Sequence, residues 1–143
     1  MVKQVLSLLS GQQDMIANAA NLAALLFHEL NDVNWVGFYF LKGEQLIVGP
    51  FQGLPACASI PLGRGVCGTA AATRQIQRVQ DVHDFDGHIA CDLNSSSEIV
   101  IPLVRHGKVL GVLDLDSPSP GRFDEADQAM LSEIADIYLE SIE

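Results

Sequence analysis

Two apolar runs separated by a single turn constrain this chain more than any other stretch. Ser97–His106 carries Ile99-Val100-Ile101-Pro102-Leu103-Val104, and Lys108–Asp116 carries Val109-Leu110-Gly111-Val112-Leu113 before Asp114-Leu115-Asp116. Joined at His106-Gly107, they read as two antiparallel strands with a tight turn. Their near-continuous apolar character demands cover on both faces, so both are central strands of a sheet. Pro102 has no N–H to give to a ladder, which places an edge or a bulge on that side of the first strand.

The flanking segments supply the cover. Val5 to Leu9 starts a short helical piece, and residues 12–31 follow as a helix striped by Ile16, Ala20, Ala23, Phe27 and Leu30, ended by Asn31-Asp32. Asn34–Lys42 is dense in aromatic and β-branched residues, and Lys42-Gly43-Glu44 turns it back into Gln45–Gly49 as a second hairpin. From Pro50 to Pro61 the prolines and Gly53 predict mostly loop, with a short strand near Ala58–Ile60. Val66–Arg74 reads as a short helix and Gln77–Val79 as a brief strand. Asp124, with Asp127 three residues on, caps a C-terminal helix striped by Ala126, Met130, Ile134 and Ile137. The order predicts an α+β fold. A single antiparallel sheet carries the terminal helices on one face, and the loops and short helix form a pocket on the other. At 143 residues, without repeat or linker, residues 1–143 make one domain.

Eighteen acids against eight bases leave a net charge of −10, which disfavours nucleic acid and anionic membrane surfaces as partners. No apolar run reaches the roughly 18–20 residues needed to span a bilayer. The N-terminal stretch has one base and no small-residue cleavage pattern, so no secretory signal is expected. Three cysteines make no disulfide framework, and reduced thiols in a cytoplasmic protein are the expectation.

Four features carry potential chemistry. Residues 81–92 pack four acids, two histidines and Cys91 into a polar loop, the composition of a metal, thiol or purely structural loop. Gly63-Arg64-Gly65-Val66-Cys67-Gly68 fits the G-x-G-x-x-G expression, but the hairpin neighbours argue for a glycine turn feeding a helix rather than a dinucleotide site. Cys57, Cys67, His83, His88 and Cys91 match no standard zinc spacing, so no metal is expected. Asp114 and Asp116 stand two apart on a strand and share a face, with Glu98 on the neighbouring strand able to join them. Paired acids on an apolar strand are costly unless they bind a cation, hold a proton or line a wet pocket; the bland alternative is that the strand ends in solvent. Trp35 and Tyr39, four apart on one strand face with Gly37 leaving a gap between them, form an aromatic wall for an apolar ligand tail, or ordinary core.

Taken together, these runs resemble the free methionine-(R)-sulfoxide reductases, a catalytic branch of the GAF-domain fold. The resemblance rests on Asn34-Trp35-Val36-Gly37-Phe38-Tyr39, Gly49-Pro50-Phe51-Gln52-Gly53, the glycine run through Thr69-Ala70, residues 81–92, Ser97–Leu103 and Gly111–Ser117. It spans about residues 12–138 and includes all three cysteines, which ordinary ligand-binding GAF domains lack. It implies a thiol oxidoreductase with no bound cofactor, reduced in turn by thioredoxin. Cys91 attacks the sulfoxide, Cys57 resolves the sulfenic acid, and Cys67 is the alternative resolving thiol. Glu98 and Asp116 polarise the sulfoxide, Asp114 meets the substrate ammonium, and Trp35 and Tyr39 house its thioether end. Backbone N–H groups of the Cys91 loop, at Ile89 and Ala90, take the carboxylate. The chain starts late and stops early against that pattern, which leaves homodimer contacts open. The alternative is a non-catalytic GAF sensor domain that binds a small molecule.

Overall fold

In a computed structural model of the protein, residues 1–87 and 94–142 are described. The chain runs α1 (Val2–Leu9), α2 (Met15–Glu29), β1 (Trp35–Lys42), β2 (Gln45–Gly53), β3 (Ser59–Pro61), α3 (Gly65–Thr73) and β4 (Gln77–Val79). A single 3-10 turn at Val82–Asp84 precedes β5 (Ser97–Arg105), β6 (Lys108–Ser117) and α4 (Glu125–Ser141). The strands form one sheet in the order β3-β2-β1-β6-β5-β4, and every neighbouring pair is antiparallel. The expected α+β architecture is present.

The hairpin that dominates the sequence sits where its apolar character requires. β6 is hydrogen-bonded to β1 on one side and β5 on the other. Its turn has His106 and Gly107 at φ 52 and 75, the positive values a two-residue hairpin turn uses at both central positions. β4 pairs only with Glu98–Val100, so Pro102 stands beyond its reach, opposite Val112 alone. The missing N–H therefore breaks no second ladder.

Alternate residues of the same strands build two different layers. Val36, Phe38, Phe40, Ile99, Ile101, Leu103, Leu113 and Leu115 meet buried side chains of α1, α2 and α4. The opposite face brings Trp35, Tyr39, Val100 and Val112 against Val66, Cys67, Ala70 and Ala71 of α3. Tyr138, in the first layer, is fully buried, and its hydroxyl donates to the Met15 carbonyl at 2.9 Å. Asp14 caps α2 by accepting from the Ala17 N–H, and Asp124 with Asp127 forms the capping box of α4.

Three expectations need correction. β2 continues through Pro50 to Gly53 where a loop was expected. Its register with β1 shifts between Gly37 and Tyr39, so that Gly49 and Pro50 together face Phe38, and a bulge accommodates the proline. The buried stripe of α2 is Ala19, Leu22, Ala23 and Leu26, while Ile16 is 51% exposed. That of α4 is Leu131, Ile134, Ala135, Tyr138 and Leu139, with Ala126 exposed. Both helices are apolar on more than one face, and packing against the sheet and the other helices, not the first matching period, sets the buried side.

Candidate active site

The site begins with the register of three strands. Asp116 of β6 lies opposite Glu98 of β5 and Trp35 of β1; Asp114 lies opposite Val100 and Gly37; Val112 lies opposite Tyr39. Period-two alternation therefore puts Trp35, Tyr39, Glu98, Asp114 and Asp116 on one face, the face covered by α3. α3 brings Cys67 down onto the acids: its Sγ lies 3.9 Å from Glu98 Oε2. Cys67 and Asp114 are each 4% exposed and Glu98 7%, whereas Asp116 is half-buried. The solvent-end alternative is thereby removed for Glu98 and Asp114, while Asp116 keeps partial contact with solvent.

Burial sets the protonation of the cluster. It pushes the Asp114 carboxyl up to about 8, helped by the neighbouring Asp116 charge and only partly opposed by hydrogen bonds with Glu98 and Cys67. Glu98 is held well above the usual carboxylate range, first by burial and then by Asp114. Burial, followed by the charges of Asp114 and Glu98, also pushes the Cys67 thiol up, so Cys67 stays a thiol at neutral pH and is a poor nucleophile. Tyr39 is raised by burial and by the same acids. At neutral pH, Glu98 and Asp114 are therefore neutral carboxylic acids able to donate a proton. Among the described residues the buried Asp114 Oδ1 has no hydrogen-bond partner.

The aromatic wall differs in detail from its expectation. Trp35 and Tyr39 stack at 5.8 Å between ring centroids, and Phe51 extends the stack behind Trp35 at 5.3 Å. Trp35 Nε1–H donates to the Leu54 carbonyl at 3.1 Å, and the Tyr39 hydroxyl to the Cys57 carbonyl at 3.2 Å. Gly37 leaves no gap for a ligand. A Cβ there would stand 2.5 Å from the Trp35 ring, so the glycine is the seat on which the indole lies.

The cysteines fall into two states. Cys57 is disulfide-bonded and half-buried, in contrast to the reduced thiols expected, and Cys67 is a free buried thiol. Ile89, Ala90 and Cys91 lie outside the described residues, as do His88 and Asp92. The start of their loop is built by Asp81. It accepts from the His83 backbone N–H at 3.0 Å and pairs with the His83 ring at 2.8 Å, while the Val82 N–H donates to the Ser96 carbonyl. Asp81 and His83 are thus shaping residues.

The glycine run forms a turn. β3 before it is antiparallel to β2, so the parallel crossover of a dinucleotide site is missing. The Gly63 N–H donates to the Gly68 carbonyl at 2.9 Å, and a Cβ on Gly68 would stand 2.6 Å from the Pro61 carbonyl oxygen. This close turn fixes the start of α3 and with it Cys67. Sequence reasoning did not single out Phe51, which no periodic signal distinguishes from core. It also passed over Ser95, whose buried Oγ has no partner among the described residues.

The GAF domain family matches residues 15–143. Protein YtsP of Bacillus subtilis is 55% identical over 95% of this chain and 85% of its own length. The free methionine-R-sulfoxide reductase of Escherichia coli is 53% identical over 90% of this chain and 78% of its own. The free methionine-R-sulfoxide reductase from Neisseria meningitidis, in an X-ray structure with its substrate, superposes with a TM-score of 0.95 at 43% identity. That match covers 98% of this chain and 84% of the other.

Proposed function

The chain belongs to the GAF domain family and, within it, to the free methionine-R-sulfoxide reductases, and we propose a thiol route for its reaction. In this route Cys91 attacks as the thiolate. The sulfoxide oxygen passes to sulfur as a cysteine sulfenic acid, one proton is taken up, and methionine leaves. The Cys57 thiol then condenses with the sulfenic acid, releasing water and forming a disulfide. Thioredoxin dithiol reduces that disulfide and carries the two electrons that balance the cycle. No bound cofactor is required, and a thiol cycle of this kind suits the reducing cytoplasm.

The observation that carries the reading is a buried pair of neutral acids beside an aromatic wall. A sulfoxide oxygen leaves only when protonated or strongly hydrogen-bonded, and Glu98, held protonated by burial, is the donor for it. Asp116 polarises the same oxygen. Asp114 Oδ1 accepts from the substrate ammonium, whose charge draws the Asp114 proton off. Trp35 and Tyr39 back the thioether end, and backbone N–H groups at Ile89 and Ala90 take the carboxylate. A pocket that needs both free termini refuses sulfoxide within a polypeptide.

Cys57 in a disulfide and Cys67 as a buried unactivated thiol support Cys57 over Cys67 as the resolving residue. The test is thioredoxin-coupled NADPH consumption with free methionine-R-sulfoxide. Turnover is expected for the native protein and for Cys67→Ser, and none for Cys91→Ser. Undiminished turnover in Cys91→Ser overturns the route, and a silent native protein leaves only a small-molecule sensor.

A further inference from the structure

Folding assembles a cation-ligand set that differs from every spacing visible in the sequence. Cys67 Sγ and one carboxylate oxygen each of Glu98 and Asp114 lie within 4.8 Å of one another, and all three residues are buried. They come from α3, β5 and β6, so three separate rigid elements converge on one point. The cluster also contains an unspent acceptor, because Asp114 is 4% exposed and its Oδ1 has no hydrogen-bond partner among the described residues.

We propose that Cys67, Glu98 and Asp114 form a binding site for a thiophilic divalent cation of the zinc class, overlapping the substrate position so that cation and substrate exclude each other. The donor set selects the ion. Magnesium and calcium take oxygen ligands in sixfold or larger shells, whereas one thiolate with carboxylates suits zinc. Zinc–sulfur and zinc–oxygen bonds of about 2.3 and 2.0–2.2 Å put neighbouring donors about 3.5 Å apart on a tetrahedral ion. The present separations, at most 4.8 Å, are longer than that, so binding requires side-chain rotation to draw the donors together. Three protein donors leave the fourth position to water, the pattern of an exchangeable site rather than a closed structural one. Binding moves the protons of the Cys67 thiol and of the Glu98 and Asp114 carboxyls to solvent and transfers no electrons. A net charge of −10 raises the local concentration of cations around the protein.

The overlap with substrate rests on the proposed function, in which Asp114 meets the ammonium and Glu98 the sulfoxide; the ligand set itself does not. Cobalt(II) is the probe, titrated into the reduced Cys57→Ser/Cys91→Ser protein, where Cys67 is the sole thiol. One equivalent is expected to bind with a near-ultraviolet thiolate-to-cobalt charge-transfer band that added zinc abolishes. Asp114→Asn and Glu98→Gln should each weaken binding at least about tenfold, the loss that a supporting residue alone already produces. Melting curves followed by circular dichroism establish that each variant is folded. Should the double cysteine variant fail to fold, reduced native protein against Cys67→Ser makes the same comparison. Absence of the band, or a band unaffected by both carboxylate changes, overturns the site. Methionine-R-sulfoxide is then titrated against the cobalt-loaded protein, and loss of the band is expected. A band that needs all three residues but ignores the sulfoxide overturns the overlap and the substrate placement, while the ligand set stands.

Discussion

The two faces of the sheet are made by alternate residues of the same strands, and they obey different rules. On the helix-covered face, Val36, Phe38, Phe40, Ile99, Ile101, Leu103, Leu113 and Leu115 are all apolar and buried. On the α3 face the same strands present Trp35, Tyr39, Glu98, Val100, Val112, Asp114 and Asp116. One layer is close-packed hydrocarbon that holds the fold. The other places neutral acids in a low-dielectric layer that stability alone would fill with valine or leucine. A strand one residue out of register would exchange the two layers entirely, so the fully apolar helix face is also what fixes the acids in position.

Variants on neighbouring residues should therefore behave oppositely. The largest expected effect is on chemistry: Glu98→Gln keeps the shape but removes the proton, and kcat should fall about 10²–10⁴-fold. Its melting temperature should stay level or rise, a combination read from coupled turnover and calorimetry together. Next comes Leu113→Ala on the helix face, which should cost about 2–5 kcal/mol of unfolding free energy in a denaturant titration. Turnover per folded molecule should hardly change, and a selective loss of kcat there would blur the distinction between faces.

Asp114→Asn should do the reverse of Leu113→Ala. Because the folded-state carboxyl is raised to about 8, the native state holds a proton that the unfolded chain releases near its ordinary pKa. That contribution is fully present below the unfolded value and is lost as pH rises through about 8. The native protein should lose stability across that window. The asparagine variant should lose less, Glu98 alone remaining as a raised buried carboxyl, and should gain about 1–3 kcal/mol over native at the alkaline end, at the expense of a higher KM. The smallest effect is expected for Tyr39→Phe, where losing the hydrogen bond to the Cys57 carbonyl should cost about 0.5–1.5 kcal/mol by denaturant titration.

Much of this was legible in the sequence for a specific reason. A strand writes its two faces into period two, so Asp114 and Asp116 could be assigned to one face and Glu98 drawn toward them without coordinates. Helices here were less legible. Ile16 and Ala20 of α2 fit a 3.6-residue period as well as Ala19 and Leu22 do, and only the side chains of α4 and the sheet decide between them. Pro50 reads locally as a strand breaker because the bulge that accommodates it in β2 is set by the register with β1 opposite Phe38, which the local sequence does not show. The meeting of Cys67 with Glu98 across 31 residues was invisible, since it depends on where the glycine turn sets α3. The wall of Trp35 and Tyr39 was foreseen, but Gly37 as the seat of the indole needed the ring orientation.

The central claim is that one face of the sheet keeps carboxylic acids neutral at physiological pH. Infrared spectroscopy of the native protein, with Asp114→Asn and Glu98→Gln as difference references, measures this directly. A protonated carboxyl stretch should persist at neutral pH, diminish in each variant, and for Asp114 titrate away around pH 8. A spectrum in which both carboxyls ionise in the ordinary carboxylate range, near pH 4, would contradict the account.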